Sequence, residues 1–290
     1  MAQEALQLLD LKKGDLVVDA TFGVGGHSDM ILTTPGVRVL ALDADQEAVA
    51  AGHERLEKYG ARVALIEANF SELKKVLERG GATTVNKILF DLGWNRGQLV
   101  SGRGFSFLHD EPLSMSYGAR PASGFTAAEI LNTWEEKVLA DVFFGYGEER
   151  FARPIAKAIV ARREVQPFKT TFELVETIKD AVPGRYLHGK THPATKTFQA
   201  LRIAVNDELG VLKKGLAGAW EVLAPGGRIV VITFHSIEDR LVKRAFLGLA
   251  KDASARLLTE KPLVATRVEI ISNPSARSAK MRGIEKPFIK

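Results

Sequence analysis

An apolar run that ends in an acid and then breaks into glycines, Val17-Val18-Asp19-Ala20-Thr21-Phe22-Gly23-Val24-Gly25-Gly26-His27, constrains this chain more than any other stretch. A strand that feeds a glycine turn at a helix start is how open α/β sheets hold nucleotide-like cofactors. Lacking side chains, such a turn lets backbone N–H groups approach a ligand closely. Ser28 and the run Met30-Ile31-Leu32 supply the helix start behind it. The spacing Gly23-x-Gly25-x-x-Ser28 lacks the third glycine of the dinucleotide fingerprint, which argues against a nicotinamide or flavin ligand.

Strand-like runs at 16–18, 37–42, 63–66 and 87–90 alternate with helical patterns at 47–51 and 73–77. The rhythm β-α-β-α-β-α-β predicts right-handed crossovers in a parallel sheet, with ligands at the carboxyl ends of the strands. From 104 to 193 the rhythm gives way to helical segments at 127–132, 135–144, 155–163 and 172–180, which read as a helical insertion. A helix over 198–212 and the segment Leu223-Ala224-Pro225-Gly226-Gly227-Arg228, leading into a strand over 229–233, resume the sheet. A last strand is expected at 268–271 and a mobile surface stretch at 251–260. The organisation predicted is a sheet domain in two parts, 1–103 and 194–290, interrupted by an insertion at 104–193 that recognises substrate.

Composition narrows the chemistry. The 290 residues include no cysteine, which removes disulfides, thiolate metal sites and thiol nucleophiles. Six histidines lack the spacing of a metal centre, so none is expected. The absence of an apolar run near the roughly 20 residues that span a bilayer, and of a basic, apolar leader, predicts a cytoplasmic protein, or one of an organelle matrix after processing, with no membrane partner. A net charge of +5 favours a polyanionic partner, although an evenly solvated basic surface gives the same total.

Two acids end neighbouring strand runs. Asp43 is placed to accept hydrogen bonds from both hydroxyls of a ribose, while Asp45 better fits the cap of the following helix. Asp91 closes the fourth run in Phe90-Asp91-Leu92-Gly93-Trp94, which brings a second acid to the same edge. Phe70 is positioned either to pack on an adenine or to fill space beneath the sheet. Gly184-Arg185-Tyr186-Leu187-His188-Gly189-Lys190-Thr191 satisfies the P-loop expression, but a helical pattern precedes it where that loop needs a strand, so an NTPase is rejected. Arg150, Arg153 and Lys157 share a face opposite Phe151, Ile155 and Ile159. With Lys196 and Arg202 they read as phosphate contacts, the alternative being a solvated face.

The Leu223-x-Pro-Gly-Gly-Arg228 segment is similar to that before a late strand in adenosylmethionine-dependent methyltransferases. More specific are Asp19-x-Thr-Phe-Gly-x-Gly-Gly-His27-Ser, Arg103-Gly-Phe-Ser-Phe107, Tyr146-Gly-Glu-Glu-Arg150-Phe-Ala, His192-Pro-Ala-Thr-Lys196-Thr-Phe-Gln-Ala, Phe234-His-Ser-x-Glu-Asp-Arg240 and Asn273-Pro-x-Ala-Arg277-Ser. In that order, over nearly the whole chain, they resemble the small-subunit ribosomal RNA N4-cytosine methyltransferases. The resemblance implies a class I, Rossmann-like methyltransferase sheet with a helical insertion, S-adenosylmethionine as cofactor, and 16S rRNA of the small ribosomal subunit as partner. It leaves a homodimer open. It implies cofactor contacts at Gly25, Gly26, His27, Asp43, Phe70, Asp91 and Gln98.

The chain departs from the family pattern after Gly93, in Trp94-Asn95-Arg96-Gly97, and at Ser114, where the family carries an acid. Candidate substrate contacts are Trp94, Arg103, Phe105, Lys196 and His235. Trp94 and Phe105 either grip an extruded base or seal a sheet edge, and His235 is either a substrate contact or a structural histidine. Asp91, or a carbonyl of the Leu92-Gly93 turn, is the candidate acceptor that polarises the cytosine amine in a decoding-region cytidine. Without a cysteine, attack at cytosine C6 is closed, which favours N4 or a ribose hydroxyl over C5. Competing readings are a non-catalytic ribosome-assembly factor that retains the fold, and a methyltransferase acting on DNA or a small molecule.

Overall fold

The computed structural model describes residues 1–93, 98 and 101–288, and they divide into two compact units. One comprises Met1–Gly93 with Leu209–Lys290, the other Trp94–Glu208.

The first unit is built on a sheet whose central strands are buried on both faces. After helix α1 (Ala2–Leu9), β1 (Leu16–Asp19), α2 (Gly26–Leu32), β2 (Arg38–Asp43), α3 (Gln46–Leu56), β3 (Val63–Glu67), α4 (Leu73–Arg79) and β4 (Val85–Asp91) follow in alternation. The helix Glu208–Val222 leads into β5 (Leu223–Thr233), and the helix Ser236–Asp252 follows it. Short strands β6 (Arg256–Leu257) and β7 (Leu263–Val264) precede β8 (Lys280–Glu285). Strand order is β3-β2-β1-β4-β5-β8-β6, with β7 also pairing β8. The pairs from β3 through β5 are parallel, and β8 runs antiparallel to β5.

In-register pairing of Val18 with Leu40 and Ile88, and of Ile88 with Ile229, aligns the period-two alternation of four strands. One set, Val18, Leu42, Ile88, Phe90 and Val231, packs with Leu73, Leu77, Leu216 and Phe246. The other set, Val17, Val39, Leu89, Val230 and Ile232, packs with Leu9, Phe22, Ile31 and Leu56. Burial of both sets explains why these strands read as continuous apolar runs.

The second unit is helical among its described residues. Helices Ala127–Thr133, Glu136–Gly147, Ala152–Val165, Thr171–Ala181 and Thr195–Asn206 enclose a core that includes Leu139, Phe143, Ile155, Ile159, Leu174, Ile178, Phe198 and Leu201. Thr126 with Glu129, and Thr170 with Glu173, form reciprocal capping boxes that fix two helix starts. Helix Ala152–Val165 begins after Arg150 and takes Pro154 in its first turn, where a missing N–H costs nothing.

Two sequence expectations shift. Residues 195–206, assigned from sequence to the sheet domain, bury Phe198, Leu201 and Val205 in the helical core, so the helical unit extends to Glu208 rather than ending at 193. Residues 268–271 form no strand: the helix Arg267–Ser272 is nucleated by Thr266, whose hydroxyl accepts from the Glu269 amide at 3.2 Å, and β8 takes the place beside β5. The stretch 251–260 contributes β6 and a buried Ala255. Among the described residues no helix is long and apolar enough to cross a membrane.

A Cβ added at Gly147 would lie 2.4 Å from the Lys196 carbonyl oxygen, where two helices of the second unit meet. Gly147→Ala therefore forces backbone apart and is expected to cost about 2 kcal/mol, read as a lower urea midpoint with unchanged m.

Candidate functional site

The turn after β1 is shaped by one buried acid. Asp19 is fully buried; its Oδ2 accepts from Ser28 Oγ at 2.7 Å and its Oδ1 from the Thr21 amide at 3.3 Å. Burial pushes its carboxyl above the ordinary carboxylate range, opposed by His27 and the Ser28 hydrogen bond. Thr21 passes the constraint on, since its Oγ1 accepts from the Asp91 amide at 2.6 Å and ties the β1 end to the β4 end. Phe22 is buried below the turn, and a Cβ at Gly25 would lie 2.6 Å from its ring. Gly25 also adopts φ 78°, so both space and backbone require glycine. A Cβ at Gly26 would meet nothing within 4 Å, which leaves open space beside that backbone.

Asp43 ends the adjacent strand and locks the turn from the other side. Its Oδ2 accepts from the Gly23 amide at 2.7 Å and its Oδ1 from the Asp45 amide at 2.8 Å. Burial raises its pKa, against the pull of those two hydrogen bonds. Each oxygen keeps a further lone pair for an incoming hydroxyl. Asp45 caps α3 by accepting from the Glu47 amide, as expected from sequence.

Asp91, at the end of β4, is perturbed in the same direction. Burial pushes its carboxyl up to about 6, with Asp19 and Glu238 adding repulsion and His27 opposing them. Its Oδ2 lies 3.4 Å from His27 Nδ1, and the two side chains are 30% and 17% exposed. Asp91 Oδ1 and His27 Nε2 are buried with no hydrogen-bond partner among the described residues. Leaving a buried polar atom unsatisfied costs about 1–3 kcal/mol, so an orphaned pair beside a bare glycine backbone fits a polar ligand. The turn, two acids with spare acceptor capacity and an imidazole suit a molecule carrying ribose hydroxyls and an ammonium, as S-adenosylmethionine does.

Other expected contacts are engaged locally. The Phe70 ring meets Phe90 edge-on at 5.4 Å, and a Cβ at Gly215 would lie 2.5 Å from it, which places the ring in the core beneath the sheet, still partly exposed. His235 is the N-cap of the helix Ser236–Asp252: Nδ1 accepts from the Glu238 amide at 3.3 Å, and Glu238 Oε2 accepts from the Phe234 amide at 2.9 Å. In the helical unit, Arg103 donates to the Ser116 and Tyr117 carbonyls and lies over Phe105, which stacks on Tyr117. Lys196 Nζ donates to the Glu148 carbonyl at 2.8 Å, closing the end of the helix Glu136–Gly147. Arg202 pairs with Glu208 at 2.7 Å. Gln98 is buried, its carbonyl accepting from Ser101 Oγ. Trp94 lies outside the described residues. The 184–191 stretch contains the short helix Gly184–Leu187 and follows a helix, so it lacks the strand a P-loop requires.

Asp19 and Thr21 were missed as site residues. The signal was present, an acid ending a buried apolar run, but only the fold shows that its partner is Ser28.

A sequence profile of the MraW methylase family matches residues 1–287. The "Ribosomal RNA small subunit methyltransferase H" of Carboxydothermus hydrogenoformans is 46% identical over 99% of this chain and 96% of its own length. The protein of that name from Geotalea uraniireducens is 43% identical over 99% of this chain and 97% of its own.

Two outcomes test this geometry. Gly25→Ala is expected to weaken binding of S-adenosylhomocysteine at least about tenfold by titration calorimetry, because the turn must leave φ 78° and its seat on Phe22. For Asp91, the unfolded chain loses its proton near the ordinary carboxylate value and the folded chain near about 6. Stability conferred by the protonated form is therefore present at low pH and lost as pH rises across that window. Asp91→Asn is expected to stabilise the protein by about 2 kcal/mol above pH 7 and by nothing near pH 4, read by urea unfolding.

Proposed function

The chain belongs to the MraW methylase family, and from that premise we propose that it methylates the N4 amine of a cytidine in the decoding region of small-subunit ribosomal RNA. The observation that carries this reading is the orphaned pair of Asp91 Oδ1 and His27 Nε2 beside the glycine turn, where a cofactor and an amine can both be held. The relatives named above supply the substrate class, small-subunit ribosomal RNA.

S-adenosylmethionine supplies a methyl group made electrophilic by its sulfonium. The chain's residues do the rest by position and charge. Gly25 and Gly26 offer backbone along the turn, Asp43 keeps acceptor capacity for ribose hydroxyls, and His27 and Asp91 hold the polar end. Cytosine N4 is a weak nucleophile because its lone pair is delocalised into the ring. An acceptor for one of its N–H bonds localises that pair and takes up the developing positive charge. Asp91, ionised above about pH 6, is that acceptor. The Leu92 amide is committed to the Ile232 carbonyl at 2.9 Å, which fixes the backbone that follows Asp91. The chain carries no cysteine to attack C6, so the ring carbon C5 is not activated.

Incubation of unmethylated small subunits with labelled S-adenosylmethionine, followed by nucleoside mass spectrometry, is expected to give N4-methylated cytidine; label confined to C5 overturns the proposal. Binding to small subunits with no heat on titration of S-adenosylmethionine identifies an assembly factor instead, and preference for duplex DNA or free nucleosides a different methyltransferase. kcat/KM is expected to rise with pH through an apparent pKa of about 6. Asp91→Asn is expected to lower it by about 100-fold or more and to remove that limb.

A further inference from the structure

The helical unit holds an arginine whose orientation is set in advance. Arg150 is exposed, and its guanidinium carbon lies 4.9 Å from the Phe151 ring centroid and 4.8 Å from that of Tyr186. The two rings meet edge to face at 4.9 Å and 68°, so the guanidinium sits over a corner of two aromatic faces. That corner is fixed from beneath by Glu149, which is fully buried. Glu149 Oε2 accepts from the Tyr186 hydroxyl at 2.6 Å and Oε1 from the Phe151 amide at 2.8 Å. Burial and that hydrogen bond push the Tyr186 phenol well above its ordinary range, which keeps it a donor at all working pH values.

Among the described residues no carboxylate pairs with Arg150, nor with Arg153 and Lys157, which follow it at helical spacing and are exposed. The opposite side of that helix, Ile155, Ala156 and Ile159, is buried. A guanidinium stacked on rings keeps its N–H edge for a planar, bidentate acceptor, and a phosphodiester is such an acceptor. An ordinary solvated arginine has no reason to surrender rotamer freedom to a corner built by a buried carboxylate.

Resting on the proposed action on ribosomal RNA, we infer that Arg150 is a preoriented backbone-phosphate anchor for that RNA, with Arg153 and Lys157 continuing the track and Glu149, Phe151 and Tyr186 as its positioning residues. The anchor contributes affinity without sequence choice, because phosphate contacts carry register rather than base identity.

Equilibrium binding of the full-length protein to purified unmethylated small subunits, and to a mixed-sequence single-stranded RNA, tests it across a salt series. Arg150→Ala is expected to weaken both about tenfold and to reduce the slope of log affinity on log salt by about 1. Arg150→Lys is expected to keep the slope and regain only part of the affinity, since charge returns without the fork. Methyl transfer is expected to show the loss in KM with kcat little changed, and S-adenosylhomocysteine affinity to be unaltered. Affinity within about twofold of the parent with an unchanged slope in Arg150→Ala overturns the inference. So does a loss of thermal stability with no change in RNA binding, which would make the stack structural only. Failure of the parent protein to methylate small-subunit RNA, with the Arg150 effect on RNA binding intact, defeats the functional proposal instead and leaves the anchor standing.

Discussion

The carboxylate of Asp19 is the constraint on which the cofactor end of the sheet depends. It has no access to solvent, so its two oxygens are committed to Ser28 and Thr21, and those bonds dictate the path of the chain out of β1. Thr21 then holds the Asp91 amide, Phe22 fills the space that a side chain at Gly25 would need, and the Gly23 amide is left to meet Asp43. The ends of β1, β2 and β4 are thus joined by hydrogen bonds to side chains as well as by the ladder. A hydrophobic residue at position 19 would satisfy the core and lose the turn.

This arrangement concentrates negative charge. Asp19, Asp43 and Asp91 end three adjacent strands, and burial raises the pKa of each. Each carries a cost to the fold, because every buried carboxylate resists ionisation. Asp19 and Asp43 are compensated by hydrogen bonds that shape the turn, whereas one oxygen of Asp91 has none among the described residues. The uncompensated acid lies beside the glycine turn, and a ligand that binds the folded state and supplies a partner there would offset the cost.

The helical unit shows a different use of charge. Arg103, Lys196 and Arg202 occur in or beside the motif-like segments but hold carbonyls or a carboxylate of their own unit. His235, in the sheet unit, is a helix cap. Matching a motif located these positions without separating residues that build the scaffold from residues that face a partner. The separation follows from hydrogen-bond accounting, since a donor already satisfied inside the protein gains little from a phosphate. Arg150 differs from them in being held over two aromatic rings.

Much of this was legible in the sequence. Apolar runs alternating with helical patterns announce the parallel strands, and the acids closing those runs fall on one edge of the sheet, because hydrophobic patterning and turn chemistry are local properties. The helix at Arg267–Ser272 was misread as a strand because a short apolar run does not reveal its period, and a threonine cap decided it. The end of the helical unit was misplaced because Phe198 and Leu201 are apolar wherever they pack. The sequence by itself determined a glycine-turn sheet with acids at its carboxyl edge and a helical insertion. Only the tertiary structure decided which of those acids is left unsatisfied, which histidine caps a helix and which arginine is held by rings. Those properties depend on partners distant along the chain, and it is burial beside them that sets each group's charge and hydrogen-bond capacity.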